Sequence, residues 1–404
     1  MNSPNDLADW MRERFPVFNK NIDDGIQSDF EVLINEIPAA INAAVLNSAI
    51  PDREKFTYIS MIHSALFHHA KVVGEAGGPL PSRFEEVMGQ VEQELVTRAK
   101  ELGVEHRFLA TFYLLCNPEI PDMLGKFAQF RAMDYETAFL RVNREGTIQY
   151  KIAAKALMRA FIELHGQSPN VRTLTSLLEQ AAQSFFKISR GNNYLLQTPG
   201  GEEFRYLTQY FGEVRVAGGP PLRGVNAGDQ PWPYIIDLVL GVNLKSVFET
   251  AFEGTPVERH YPDTVHDSAD VVEYEFQSQQ YLHANYLLPE DYDDMKSALD
   301  AIERWRGDVT DALSKITSHS DQLELANHLL TVIKNYVTAS GVHYSLAKRY
   351  VPKGPNGEQI GSAGTNIRRY LHDGLNEERR KVQQRLISKY PQLSERKTTE
   401  EATA

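Results

Sequence analysis

The chain has 404 residues, 42% hydrophobic and 24% charged, which excludes a disordered or fibrous protein and allows one large or two modest domains. Its 42 basic and 54 acidic residues leave a net charge of −12, which argues against a general binder of nucleic acid or anionic membrane. The single cysteine, Cys116, excludes an intrachain disulfide and a multi-cysteine zinc site.

No run of about 18 apolar residues offers a membrane span. The opening MNSPNDLADWMRERF has no signal-peptide core, so a cytoplasmic location is expected. Tyr58 to Val73 reads as an apolar helix and Phe84 to Leu102 as one with an exposed face; the loop Gly74 to Pro81 parts them. The apolar run FLATFYLLC ends at a loop, Asn117 to Asp122. Between Ile148 and Leu164, Ile152, Ala156, Leu157, Ala160, Phe161 and Leu164 recur at helical spacing. Ala217 to Pro233 is a long glycine- and proline-rich loop, and His260 to Asp270 reads as a polar, exposed one. Ala298 to Leu313 predicts a charged amphipathic helix carrying Trp305 and, around Arg304 to Arg306, a solvated face. Between Asp321 and Val351 a stripe of Leu325, Leu329, Val332, Ile333, Tyr336, Leu346 and Tyr350 predicts another helix. Pro352 to Asn366 is a second glycine-rich loop, and from Pro391 the chain reads as a frayed tail. Period-two alternation is scarce and no internal repeat shows. The expectation is an all-α protein with a small helical domain over 1–125, a larger one over 126–390 and a disordered tail over 391–404.

Phosphate-binding glycine loops, a nucleophile elbow and an HExxH zinc pair are all absent from the sequence. His63, His68 and His69 share one helix, but their spacing is not the i,i+4 of a zinc pair. His260 and His266 read as solvated. Cys116 reads as a buried, inert thiol, with nothing nearby to lower its pKa. His343 differs, because it lies on the apolar stripe of the Asp321–Val351 helix. A buried imidazole needs partners for its nitrogens. Two readings stay open from position alone: a satisfied core histidine, or an axial ligand of haem. One histidine cannot hold a bare divalent ion, whereas a porphyrin brings four nitrogens of its own.

The stretch SGVHYSLAKRYVPKGPNGEQIGSAGTNIRRYL resembles the C-terminal signature of the indoleamine and tryptophan 2,3-dioxygenase superfamily. His343 stands at the haem-ligating histidine, Lys348-Arg349-Tyr350 at the basic-aromatic group, and Gly361-Ser362-Ala363-Gly364-Thr365 at the GTGGT loop. GVNAGDQPWPYIIDLVLGV and ELGVEHRFLATFYLLCN resemble two upstream segments, so the likeness runs over about residues 90 to 380. The resemblance implies an indoleamine 2,3-dioxygenase-like fold that binds haem b, with His343 as iron ligand. Asn226, Ala227, Gly228 and Arg349 would line the cofactor, and Asp237 would be the acid that tunes His343 from behind. Ala110, Tyr113, Leu114, Phe204, Gly361, Ala363 and Gly364 would form the substrate pocket, with Tyr150 as a further candidate wall.

The departures are specific. Ser362 and Ala363 alter the loop that meets the amino-acid end of the substrate, beside Thr365. Thr208 stands where the family clamps a carboxylate with arginine. Threonine cannot pair two-pronged, so Arg205 or Arg223 is the candidate substitute, and a plain surface ion pair is the other reading of Arg205. Ser340 replaces an arginine three residues before His343. These differences resemble the divergent bacterial branch of haem-dependent aromatic oxygenases, which includes the ring-rearranging enzyme of the pyrrolnitrin pathway. The activity implied is oxygen insertion from O2 into an indole or phenol amino acid or a derivative in a secondary-metabolite pathway. Ring rearrangement or N-oxidation on the same scaffold, and a helical interaction protein that has lost haem, are the alternatives. An electron donor and the oligomeric state stay open.

Overall fold

A computed structural model of the chain describes residues 6–46, 49–119, 127–131, 133–216, 219, 222, 224–225, 230–253, 264–277, 287–305, 307–354, 356–361 and 365–394. The fold is all-α; among the described residues the extended pairing is limited to two isolated bridges, Val214 with Leu222 and Ile360 with Asn366. No helix among them is long and apolar enough to cross a membrane.

The first part of the chain holds α1 (Asp6–Glu13), α2 (Phe15–Asp23), α3 (Gln27–Leu46), α4 (Asp52–Glu75), α5 (Phe84–Leu102) and α6 (Ala110–Leu115). Two long helices follow, α7 (Asp134–Leu164) and α8 (Val171–Gln197), then a short α9 (Phe204–Gln209). Next come α10 (Trp232–Leu240), α11 (Leu244–Phe252), α12 (Ser268–Gln277), α13 (Pro289–Trp305) and α14 (Val309–Ala312). The longest helix is α15 (His319–Tyr350), and a π-helical turn over Arg368–Asn376 runs into α16 (Glu377–Lys389).

Local chemistry sets several ends. Gly103 closes α5 at φ 68°, with the Val104 amide returned to the Ala99 carbonyl at 2.9 Å. Asn170 caps α8 by accepting from the Thr173 amide, and Ser318 caps α15 through the Asp321 amide. The helix expected over Ala298 to Leu313 is not continuous. α13 stops at Trp305, Gly307 takes φ 112°, and Asp308 starts α14 by accepting from the Asp311 amide at 3.0 Å. The loop expected over His260 to Asp270 is already helical from Ser268, and its residues 260–263 lie outside the described residues. The tail expected from Pro391 begins later: Leu393 is buried in the core, while residues 395–404 lie outside the described residues.

α8 packs against both α7 and α15, the most extensive helix contacts in the molecule. Alanines at 153, 154, 156 and 160 on α7 and at 181 and 182 on α8 are buried, which lets the two backbones approach. Two large cores result. One is built on α7, α8, α10, α11, α13, α15 and α16. The other gathers α1 to α6, and it also takes Leu207, Tyr210, Phe211, Val216 and Val225 from far along the chain.

α10 ends on Gly241 at φ 73°, and a Cβ there would fall 2.1 Å from Asp308 Oδ2. Gly241→Ala is therefore expected to lose about 1–3 kcal/mol, from left-handed backbone strain and the displaced Asp308. A lowered urea midpoint checks it; an unchanged midpoint refutes it.

Candidate active site

A cavity of about 740 Å³ lies where the two cores meet, within the ~300–1,000 Å³ common for cofactor and small-molecule sites. α6 contributes Ala110, Tyr113 and Leu114; α7 runs along it from Tyr135 to Tyr150; α8 presents Lys187, Gly191 and Asn192. α9 adds Phe204 and Thr208, α15 adds Tyr336, Ser340, His343, Leu346 and Tyr350, and the π-helical turn adds Tyr370, Leu371 and Leu375. Gly361 and Thr365 also line it, and the Gly361 amide donates to the Thr365 carbonyl at 2.9 Å.

His343 sits deep in the protein, yet its ring is only half-buried because it faces this cavity. Among the described residues no group hydrogen-bonds to either ring nitrogen. Burial, and after it the nearby Arg379 guanidinium, hold its pKa below the ordinary histidine value. The imidazole is thus neutral, with a nitrogen lone pair available. A lone imidazole on an aromatic-lined cavity of this size suits a macrocycle that brings its own four nitrogens, so the residues present fit haem.

Behind His343 lies a wholly buried polar network. Arg379 on α16 donates to both oxygens of Asp237 on α10, Nε at 2.8 Å and Nη2 at 2.7 Å. It also donates to Ser340 Oγ at 2.9 Å and to the Tyr336 hydroxyl, and its guanidinium stacks 3.8 Å from the Tyr336 ring centroid. Burial works against the Arg379 charge, but the attraction of Asp237 and Tyr336 outweighs it and its pKa is raised. Asp237, expected to tune His343 through a direct or water-bridged hydrogen bond, makes no direct bond to the ring. The carboxylate is spent on Arg379, an arginine that the sequence reading did not single out. Ser340, which lacks the guanidinium expected at its own position, receives one from a different helix.

The other expected residues divide clearly. Arg205 is not on the cavity: it is exposed, donates to the Tyr206 hydroxyl at 2.8 Å and stacks on that ring. Thr208 is on the wall, but its hydroxyl donates to the Arg205 carbonyl at 2.8 Å within its own helix. Arg349 is exposed and donates to the Leu196 carbonyl at 2.9 Å, so it does not reach the cavity either. Tyr150 lines the cavity, with its ring against Phe185 and Tyr336. Asn226, Ala227, Gly228, Arg223, Ser362, Ala363 and Gly364 lie outside the described residues. Cys116 is half-buried, and burial lifts its thiol to about 11, as an inert thiol requires.

Tyr113 turns its hydroxyl away to Glu136, donating to Oε1 at 2.5 Å. Glu136 is fully buried and also accepts from the Phe130 and Arg131 amides at 2.7 and 2.9 Å. Burial raises its pKa to about 7 despite those donors.

A sequence model of the family described as monodechloroaminopyrrolnitrin synthase PrnB matches residues 81–250. The chain is similar to that family over α5 to α10 and most of α11, a span that holds Asp237 and the α6 wall and stops before His343 and Arg379. The likeness drawn from the sequence motifs and this match agree. No curated protein gives a significant match.

Two outcomes follow from this geometry. Arg379→Met leaves Asp237 buried without its counter-charge and is expected to destabilise by about 3–5 kcal/mol, with part recovered in the Arg379→Met, Asp237→Asn double variant. Thermal or urea midpoints of wild type, Arg379→Met, Asp237→Asn and the double variant read the coupling; simple additivity contradicts it. For Glu136 the folded pKa of about 7 exceeds the unfolded 4.5, so the native state holds the extra proton between them and stability falls as pH rises through that window. Glu136→Gln should flatten this slope, and an equal slope in both proteins refutes the assignment.

Proposed function

We propose that the chain is a haem-dependent oxygenase acting on an aromatic amino acid, of indole or phenol type, or on a derivative of one, in a biosynthetic pathway. The observation that carries this reading is His343, a neutral imidazole without a hydrogen-bond partner among the described residues, facing a cofactor-sized aromatic cavity. Haem b held there through His343 would supply the iron at which dioxygen is activated.

The chain's own residues supply the rest. Arg379 neutralises Asp237 and places positive charge behind the imidazole, which disfavours imidazolate character in the ligand. Tyr113, Phe204 and Phe211 give the opposite core an aromatic wall that excludes water and can orient a flat ring. Among the residues lining that wall no histidine stands beside His343; an electron-rich ring such as indole needs no protein base. Thr365, buried on the wall next to Gly361, is assigned to the amino-acid end of the substrate. Lys187 is exposed at the cavity edge and has no ion-pair partner among the described residues. It replaces Arg205 as the cation assigned to a carboxylate.

The family description names a synthase, and this favours a second reading, rearrangement of the substrate ring on the same scaffold. Product mass separates the two by gain of one oxygen atom, two or none.

Protein expressed with a haem precursor should show a Soret band that His343→Ala weakens or shifts. An unchanged band in that variant removes His343 as the ligand, and absence of haem from the wild type favours an interaction protein. Tryptophan, tyrosine or their derivatives should perturb the ferrous spectrum of the wild type, and Lys187→Glu should weaken that response. No response to any of them counts against the substrate class.

A further inference from the structure

A second group of ligating side chains lies in the N-terminal core, and none of its ligating atoms lines the cavity. His68 and His69 are neighbours on α4, so their rings leave the helix in different directions. Both nevertheless reach Asp23 at the end of α2. His68 Nε2 is 3.1 Å and His69 Nδ1 3.7 Å from the same atom, Asp23 Oδ1. The other oxygen, Oδ2, accepts from Arg131 Nη1 at 3.0 Å and from the Tyr210 hydroxyl at 2.8 Å.

The hydrogen bonds around Asn19 fix the tautomer of His69. Asn19 Nδ2 donates to the Phe130 carbonyl at 2.9 Å, so Asn19 Oδ1 is an acceptor. That oxygen is 2.9 Å from His69 Nε2, which must therefore carry the proton. His69 Nδ1 is left with a lone pair. It is fully buried, has no hydrogen-bond partner, and faces a carboxylate oxygen. Two electron-rich atoms opposed in the interior are unfavourable unless a cation lies between them.

We propose that Asp23 Oδ1, His68 Nε2 and His69 Nδ1 form a binding site for a divalent first-row transition metal of the zinc class. Two imidazoles and one carboxylate are a ligand set such ions accept. Asp23 Oδ1 lies 3.1 and 3.7 Å from the two nitrogens, and all three atoms lie within 4.8 Å of one another; donors of one tetrahedral ion with bonds of about 2.0–2.2 Å stand roughly 3.3–3.6 Å apart. Arg131 opposes an added cation, but it is itself paired with two carboxylates, Asp23 and Asp24. With Tyr210 it holds Oδ2 and so aims Oδ1 at the two rings, the supporting role that partners of metal-bound carboxylates play. Three protein ligands leave one position of a tetrahedral ion for water. The ion ties α2 to α4 beside Tyr210, whose neighbour Phe211 is part of the cavity wall.

The test uses the full-length chain as purified, without added haem, with Zn2+ and Co2+ as probes. Wild type should retain one zinc per chain after desalting, gain thermal stability with zinc, and give visible Co2+ ligand-field bands. His69→Gln, whose amide can still meet Asn19, and His68→Gln should each weaken zinc binding about tenfold or more and abolish the zinc-dependent rise in melting temperature. No stoichiometric zinc in wild type, or unchanged affinity in both variants, overturns the site. Should the variants fail to fold, zinc-edge X-ray absorption of wild type decides: two imidazoles and an oxygen support the site, and one imidazole or none overturns it. Each of these outcomes is independent of His343.

Discussion

The buried guanidinium of Arg379 holds together the side of the cavity that carries His343. It joins three helices, reaching Asp237 on α10, Tyr336 and Ser340 on α15, from its own place on α16. Tyr336 and Ser340 lie seven and three residues before His343, on the face of α15 that also carries the histidine. Fixing those two residues fixes the imidazole's direction. Removing such a pair from water is costly and seldom repaid in stability. Its value here is positional, since it sets three helices relative to one ring.

The same pair determines the electrical character of that ring. A carboxylate bonded directly to the imidazole would push electron density toward a bound metal. In this chain the carboxylate is neutralised two-pronged, and burial first, then the Arg379 cation, lowers the basicity of His343. The lone pair is kept available because the ring stays unprotonated, while its donor strength is held down. On the opposite wall, aromatic side chains of the N-terminal core meet the open space.

Sequence periodicity revealed those helices that bury one continuous stripe. α5 was legible at both ends because its apolar positions stop at Gly103 and a proline-bounded loop precedes Phe84. The first half of α7 was missed for a physical reason. Asn143, Glu145, Gly146 and Thr147 face the cavity, so no apolar stripe marks them. The charged pattern after Ala298 hid the break at Gly307, because a left-handed glycine leaves little trace in an amphipathic count. His343 stood out by its apolar setting and by the motif around it. Arg379 did not, since EERRKVQQRL reads as a solvated helix and buried arginine is rare. The meeting of His68 and His69 on Asp23 was equally hidden, because the acid lies 45 residues before His68 and neighbours on a helix share no face.

The cavity wall is also controlled from an unexpected part of the chain. The segment from Phe204 to Val216 follows α8, a helix of the large core, yet Leu207, Tyr210, Phe211 and Val216 pack with α1 to α6. The Tyr210 carbonyl accepts from Ser64 on α4, its hydroxyl donates to Asp23, and its ring stacks on Phe130. Phe204, Thr208 and Phe211 from this segment face the cavity. The aromatic wall is therefore held by the N-terminal core while His343 is held by the large one. The width of the cavity between them depends on how the two cores meet, through this stretch and through α7, whose Leu140 also packs with the N-terminal core.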